Sequence, residues 1–136
     1  MGVSKLRNTQ REETKALNSD DLSGGDYGSL VVIENVFHYK QVLPLRMGDN
    51  VIGRYQKGNP INTPIETVDP SVDLTHCIVN VSRDKHGRLR HTLQDANSNT
   101  GTFVDNVEIT PREKRIIGDG TLFTIGATSI ILKLEN

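Results

Sequence analysis

Cysteine is scarce in this sequence, and long apolar runs are missing. Among its 136 residues the chain has one cysteine, Cys77, which excludes an internal disulfide bond. Cys77 belongs to the apolar run 77–79, so we predict a small buried residue rather than a nucleophile. No stretch approaches the ~20 apolar residues that a membrane-spanning helix needs, and residues 1–17 lack the apolar segment of a secretory signal. We therefore expect a cytoplasmic protein that does not contact a membrane.

Neither sign of charge dominates the sequence. Its 16 Lys and Arg residues stand against 17 Asp and Glu residues, which gives a formal net charge of -1. General nucleic-acid binders draw much of their affinity from contacts of Lys and Arg with phosphates, and no dense run of either residue occurs here. We therefore expect no nucleic-acid partner.

The sequence also lacks the patterns that mark most enzymes. Its histidines do not show the spacing of metal ligands, and a single cysteine argues against a zinc site. The glycine-containing runs match neither the phosphate-binding loop of nucleotide hydrolases nor a dinucleotide-binding fingerprint. Asp73, His76 and Ser98 could be written as a catalytic triad, but no nucleophile elbow surrounds the serine. We expect no catalysis, no metal and no cofactor.

The first 28 residues differ in texture from the rest of the chain. Residues 4–26 are rich in charged residues, Asn, Ser and Gly, and they end in Ser-Gly-Gly-Asp at 23–26. A segment of this composition cannot bury enough apolar surface to offset the entropy that ordering costs. We therefore predict a flexible tail at 1–28 and one folded domain at 29–136.

From residue 29 onward the pattern is typical of β-structure. Apolar residues alternate with polar ones along 76–82 and again along 88–94, so each run is expected to turn one face towards a core. A second strand is predicted at 36–45 and a short strand at 65–68, and a tight hairpin is predicted to turn at 105–106. About ten short strands and no amphipathic helix indicate an all-β sandwich or barrel.

Four motifs follow one another in the β region. They are Gly53-Arg54, His76 at the start of a strand, the run Asp-Ala-Asn-Ser-Asn-Thr-Gly-Thr-Phe-Val at 95–104, and the run 117–126 that contains Gly-Asp-Gly. In this order they resemble the signature of the forkhead-associated (FHA) domain family. The resemblance implies an FHA/SMAD-like β-sandwich of about ten to eleven short, mostly antiparallel strands without substantial helix. It also implies a module that binds phosphothreonine-containing peptides.

The resemblance implies roles for individual residues. Arg54 takes the place of the family arginine that contacts phosphate, and a planar, always charged guanidinium can meet two phosphate oxygens. Asn99 and Thr100 take positions that hold the peptide. His76 matches a histidine that braces the adjacent loop and does no chemistry. The structural positions of the motif are Gly53, His76, Ser98 and Gly101.

Asp73 departs from the family pattern, which has a phosphate-binding serine three residues before the histidine. An ionised aspartate donates no hydrogen bond. The carboxylate would also repel a bound phosphate. At about 4 Å, two like unit charges repel by ~1 kcal/mol in water and by ~4 kcal/mol at an effective dielectric of about 20. A charge-assisted hydrogen bond from Arg54 contributes ~1.5–3 kcal/mol, so the two effects are of similar size. Asp73 could cancel Arg54 or pair with it, unless it points away or Thr75 or Asn99 compensates.

Two functions therefore remain open. The first is recognition of a phosphorylated protein or peptide through phosphothreonine. The second is a phosphate-independent interaction or scaffolding module in which Asp73 has disabled the pocket, an interpretation that Leu74 and Thr100 also favour because they depart from the family pattern. Under the first hypothesis, a phosphorylated Thr9 or Thr14 of the chain's own tail could be the ligand, since the linker is long enough to fold back.

Overall fold

The computed structural model describes residues 27–34 and 39–134 of the chain. Within these residues, no helix is long and apolar enough to cross a membrane. The described part of the chain folds into eleven strands: β1 (Ser29–Glu34), β2 (Tyr39–Pro44), β3 (Gly48–Arg54), β4 (Thr63–Ile65), β5 (Cys77–Arg83), β6 (Leu89–Asp95), β7 (Thr102–Val104), β8 (Val107–Glu108), β9 (Arg115–Ile117), β10 (Leu122–Ile125) and β11 (Thr128–Lys133).

The strands form two sheets. The six-stranded sheet has the order β2-β1-β11-β10-β7-β8, and the five-stranded sheet has the order β4-β3-β5-β6-β9. Neighbouring strands are antiparallel, except for β3 and β4, which run parallel. The prediction of an all-β sandwich of ten to eleven short, mostly antiparallel strands is confirmed.

Alternation along the strands builds the core. Cys77, Val79 and Val81 on β5 are buried, and their neighbours on the same strand are partly exposed. Burial, and to a smaller extent the charge of Asp95, raises the pKa of the Cys77 thiol well above its usual range, as expected for a core residue. The six-stranded sheet contributes its own buried side chains, Phe123 among them, to the same cluster.

The predicted hairpin between β7 and β8 turns at the expected residues. Asp105 and Asn106 both have positive φ, 50° and 67°. Two consecutive positive φ angles are the requirement of a type I′ turn, whose twist matches that of the flanking strands. Asp and Asn tolerate this conformation better than other non-glycine residues.

Two strand predictions need correction. The prediction of a strand at 65–68 is wrong. β4 comprises Thr63–Ile65, and its pairing with β3 ends at Ile65. There the backbone N–H of Glu66 donates to the Gln41 side chain at 2.9 Å instead of to a strand. A second strand was expected at 36–45, whereas β2 comprises Tyr39–Pro44 and residues 35–38 lie outside the described residues.

The tail prediction falls largely outside the described part of the chain. Residues 1–26, including Thr9 and Thr14, belong to the part of the sequence that the structure does not describe.

Three connections meet at one end of the sandwich. They are the segment after β3, the loop that leads into β5, and the loop between β6 and β7, which spans residues 96–101. The hairpin between β5 and β6, at 84–88, lies at the opposite end of those two strands. Gly53-Arg54, His76 and the run 95–104 lie at the first end or lead into it, whereas the Gly-Asp-Gly turn at 118–120 follows β9 towards the end that holds the 84–88 hairpin.

Candidate functional site

Arg54, the last residue of β3, is anchored to the loop before β5. Its backbone N–H donates to the carbonyl oxygen of Asp73 at 2.8 Å. Its side-chain Nε donates to the carbonyl oxygen of Val72 at 2.9 Å, and the side chain is half-buried. A guanidinium has five N–H donors, and within the described residues the Nε bond is the one its side chain makes. The terminal amino groups are thus held in place but make no hydrogen bond within the described residues.

Asp73 faces the loop between β6 and β7 rather than Arg54. Its Oδ2 accepts from the backbone N–H of Asn99 at 2.8 Å, and its Oδ1 accepts from Asn99 Nδ2 at 3.3 Å. Among the described residues, no ion pair joins Asp73 to Arg54. The carboxylate therefore connects two loops and does not pair with the guanidinium, whose charge instead contributes to the lowered pKa of Asp69.

His76 connects the same two loops from the inside. It is fully buried, its Nδ1 accepts from the backbone N–H of Asp73 at 3.0 Å, and its Nε2 lies 2.9 Å from the carbonyl oxygen of Gly101. An accepting Nδ1 requires the proton on Nε2, which then donates to Gly101. The imidazole fixes the spacing between the loop of Asp73 and the loop of Asn99.

The loop between β6 and β7 is organised by Asp95. Its carboxylate accepts from Ser98 N at 3.0 Å, from Ser98 Oγ at 2.6 Å and from Thr102 Oγ1 at 2.7 Å. The Ser98 hydroxyl in turn accepts from Gly101 N at 2.9 Å. Burial alone would raise the pKa of Asp95, but the hydrogen bonds from Ser98 and Thr102 outweigh it, and the pKa is lowered.

The residues predicted to contact the peptide do not all belong to one hydrogen-bond network. Thr100 Oγ1 donates to the carbonyl oxygen of Ser71 at 2.8 Å, so Thr100 joins the network of Arg54, Asp73 and Asn99. Thr75 is exposed and, within the described part of the chain, makes no hydrogen bond with that network.

Gly53 is needed because the backbone of the loop before β5 passes directly over it. A Cβ at this position would lie 2.1 Å from the carbonyl oxygen of Leu74 and 2.9 Å from that of Asp73. Gly101 has a different requirement, a positive φ of 89°, which residues with a side chain adopt at a cost.

Two residues that hold the site were not singled out from the sequence. Asn59 Nδ2 donates to the Leu74 carbonyl at 2.7 Å. Asp69 accepts from Ser71 N at 2.9 Å, from Ser71 Oγ at 2.5 Å and from Ala127 N at 2.9 Å. Burial acts to raise the pKa of Asp69, but the Ser71 and Ala127 hydrogen bonds prevail and lower it. The Asp-Pro-Ser pattern is a local turn signal, whereas the contact with Ala127 has no local signal.

The sequence and the fold both match known proteins. A profile described as the FHA domain matches residues 50–126, more than half of the chain. An FHA domain from a structural and functional analysis of phosphothreonine-dependent FHA domain interactions is 24% identical, with a TM-score of 0.56 over 79% of this chain and 98% of that one. Full-length yeast Pml1p is 20% identical, with a TM-score of 0.61 over 77% of this chain and 79% of that one.

A structure with a bound peptide is also similar. The MEK1 FHA domain in complex with a HOP1 phosphothreonine peptide is 15% identical, with a TM-score of 0.60 over 79% of this chain and 97% of that one. Among curated proteins there is no match. Identities this low establish a common fold, and the profile match adds the family.

Proposed function

This chain belongs to the FHA domain family, whose members are interaction modules, and from that premise we propose that it recognises phosphothreonine-containing peptides or proteins. The binding surface is the loop end of the sandwich, with Arg54 as the phosphate anchor. Asn99 and Thr100 hold the peptide beside it. Peptide preference comes from the loop 55–64 and from the residues after Val104.

The state of the Arg54 side chain carries this proposal. Nε is held by the Val72 carbonyl, and the terminal amino groups have no hydrogen-bond partner among the described residues. A guanidinium fixed at its base loses little further entropy on binding, and two parallel N–H groups suit two phosphate oxygens. The terminal amino groups of this partly exposed guanidinium are thus donors that an anion from solvent can reach.

Asn99 supports a second candidate, a phosphate-independent module. Its backbone N–H already donates to Asp73 at 2.8 Å, so that donor is not available to a ligand while the carboxylate remains in place. Phosphate binding would then rest on Arg54 with less help from the neighbouring loop. The absence of an ion pair between Arg54 and Asp73 in the described residues makes phosphothreonine recognition the first choice.

Titration of the full chain with peptides tests the proposal. A phosphothreonine peptide library and the same peptides without phosphate are compared by fluorescence anisotropy, together with phosphopeptides spanning Thr9 and Thr14. We expect binding that requires phosphate and that falls by about 100-fold in Arg54→Ala, since a lost charge-assisted pair costs ~2–5 kcal/mol. Arg88→Ala, in the hairpin at the opposite end of the sandwich, is the control and should bind as the wild type does.

Each outcome of this titration decides between the candidates. Binding of equal strength with and without phosphate, unaffected by Arg54→Ala, would replace the proposal with the phosphate-independent module. Binding of the tail phosphopeptides alone would identify the chain's own N-terminal segment as the ligand.

A further inference from the structure

Asp73 carries a negative charge beside the proposed phosphate anchor. Its backbone carbonyl accepts from Arg54 N at 2.8 Å, so the two residues are neighbours where β3 passes the loop before β5. No ion pair joins the carboxylate to a cation among the residues that the structure describes. A phosphate on Arg54 would therefore be held next to the loop that carries this carboxylate, which has no cationic partner among the described residues.

The Asp73 carboxylate is fixed in place yet open to a ligand. Asn99 supplies two donors to it, the backbone N–H at 2.8 Å and Nδ2 at 3.3 Å. An ionised carboxylate offers about four lone-pair sites, so about two are left for a ligand. Asp73 is half-buried and Asn99 is exposed, and a side chain of a bound peptide can approach from solvent.

We infer that Asp73 is a specificity-determining residue, which selects phosphothreonine peptides with a Lys or Arg close to the phosphothreonine. This inference rests on the proposed function. A basic side chain of the ligand pairs with Asp73, while the phosphate pairs with Arg54, so that both charges at the site find a partner. A ligand with acidic flanking residues adds a second repulsion to that between Asp73 and phosphate, and like charges side by side disfavour a wrong partner.

Screening limits how far the basic residue can lie from the phosphothreonine. The Debye length is about 10 Å at 0.1 M salt, and an extended peptide advances about 3.3–3.6 Å per residue. The selected Lys or Arg is therefore within about three residues of the phosphothreonine.

Matched peptides on the full chain test this inference. Three phosphothreonine peptides differ only in whether Lys, Ala or Glu occupies the flanking positions, and their affinities are measured at 50 mM and 1 M salt. We expect the Lys peptide to bind about tenfold more tightly than the Glu peptide at low salt, with a smaller ratio at high salt. Asp73→Asn keeps an oxygen for the Asn99 N–H and removes the charge. The ratio of the affinities for the Lys and Glu peptides (the Lys-to-Glu ratio) should therefore shrink to about twofold.

Asp84→Asn is the matched control. Asp84 also accepts from two backbone N–H groups, those of His86 and Arg88, but in the hairpin at the opposite end of the sandwich. Its substitution should leave the Lys-to-Glu ratio at the wild-type value. Thermal unfolding of both variants confirms that any change in ratio arises in a folded protein.

The possible results separate this inference from the proposed function. If the three phosphopeptides bind equally, or if Asp73→Asn leaves their ratio unchanged, the role of Asp73 is refuted while phosphothreonine recognition stands. If no phosphopeptide binds better than its unphosphorylated form, both are refuted.

Discussion

Gly53 illustrates how one residue joins the fold to the proposed site. The backbone carbonyls of Leu74 and Asp73 lie where its side chain would be, at 2.1 Å and 2.9 Å from an ideal Cβ. The same close approach lets Arg54 N reach the Asp73 carbonyl at 2.8 Å. The glycine therefore sets the distance between Arg54 and the loop that carries Asp73.

We expect Gly53→Ala to lower the free energy of unfolding by about 3 kcal/mol, because a methyl group cannot fit without moving the loop backbone. Movement of that loop should also weaken any binding that depends on Arg54. Urea denaturation measures the first effect, and titration with a phosphothreonine peptide measures the second.

Gly118→Ala is the matched control for this substitution. An ideal Cβ at Gly118 meets no atom within 4 Å, and the residue does not have a positive φ. The free energy of unfolding of Gly118→Ala should remain within about 0.5 kcal/mol of that of the wild type. Equal losses in the two variants would show that close packing is not the reason for the glycine at position 53.

The position of the Arg54 side chain at the loop end could be predicted from the sequence, but the direction of Asp73 could not. The acceptor role of Asp73 depends on Asn99, which lies 26 positions further along the chain. The sequence leaves open whether Asp73 pairs with Arg54, and the structure instead gives the carboxylate two donors from Asn99. Long-range partners of this kind are set by the packing of loops, for which a single sequence offers no periodic signal.

At the scale of elements, the connection between β6 and β7 is a loop stabilised by one carboxylate. Asp95 accepts three hydrogen bonds from Ser98 and Thr102, and this set of contacts lowers its pKa below the unfolded value. A carboxyl group with a depressed folded pKa contributes stability above its unfolded pKa of about 3.9. That contribution disappears as the pH falls through the folded pKa.

Asp95→Asn should therefore destabilise the protein in a pH-dependent way. At pH 7 we expect a loss of about 2 kcal/mol, because hydrogen bonds to an ionised acceptor are replaced by weaker ones. The difference from the wild type should narrow as the pH drops below about 4, where Asp95 of the unfolded chain takes up a proton, and it should be lost as the pH falls through the lower folded pKa. Urea unfolding midpoints between pH 2.5 and pH 7 check this.

Asp105→Asn provides the comparison for the pH series. Asp105 is exposed in the turn between β7 and β8, and Asn also tolerates its positive φ of 50°. The free energy of unfolding of this variant should stay within about 0.5 kcal/mol of the wild-type value at every pH. A constant difference for Asp95→Asn from pH 7 to pH 2.5 would contradict the role given to its charge.

Strand prediction succeeded where the period of two was long enough to detect. The seven-residue strands β5 and β6 alternate clearly, whereas β4 has three residues with Pro64 at its centre. Proline in a strand is compatible with an edge position, and β4 is indeed at the edge of its sheet. The sequence pattern placed this strand two residues too late because Pro64 ends a segment that also contains Gly58, Asn59 and Asn62, and such a composition has the signature of a loop.

For the whole molecule, the contacts of Tyr27 and Gly28 bear on where the folded domain begins. The buried apolar residues of the described part run from Leu30 to Leu132. Before them, the Tyr27 carbonyl accepts from His91 Nε2 at 2.8 Å, and the Gly28 carbonyl accepts from Leu45 N at 2.9 Å. These two residues connect the entry to β1 with both sheets, so we expect the domain to start at 27 rather than at 29.

Two fragments of the chain test this boundary. Residues 27–136 should unfold at the same temperature as the full chain, because this fragment retains every contact that the described residues of the core cluster make with one another. Residues 29–136 lose two hydrogen bonds and the packing of Tyr27 against the core, a change of about 2 kcal/mol. For a domain of about 100 residues this corresponds to a melting temperature lower by about 8 °C.

The comparison with the full chain also tests the tail. If 27–136 melts several degrees below the full chain, residues 1–26 stabilise the domain and the predicted flexible tail is wrong. If 29–136 melts together with 27–136, the contacts of Tyr27 and Gly28 contribute no stability, and the domain begins at β1 itself. Calorimetry at two protein concentrations excludes association of the fragments, because the melting temperature of a monomer does not depend on concentration.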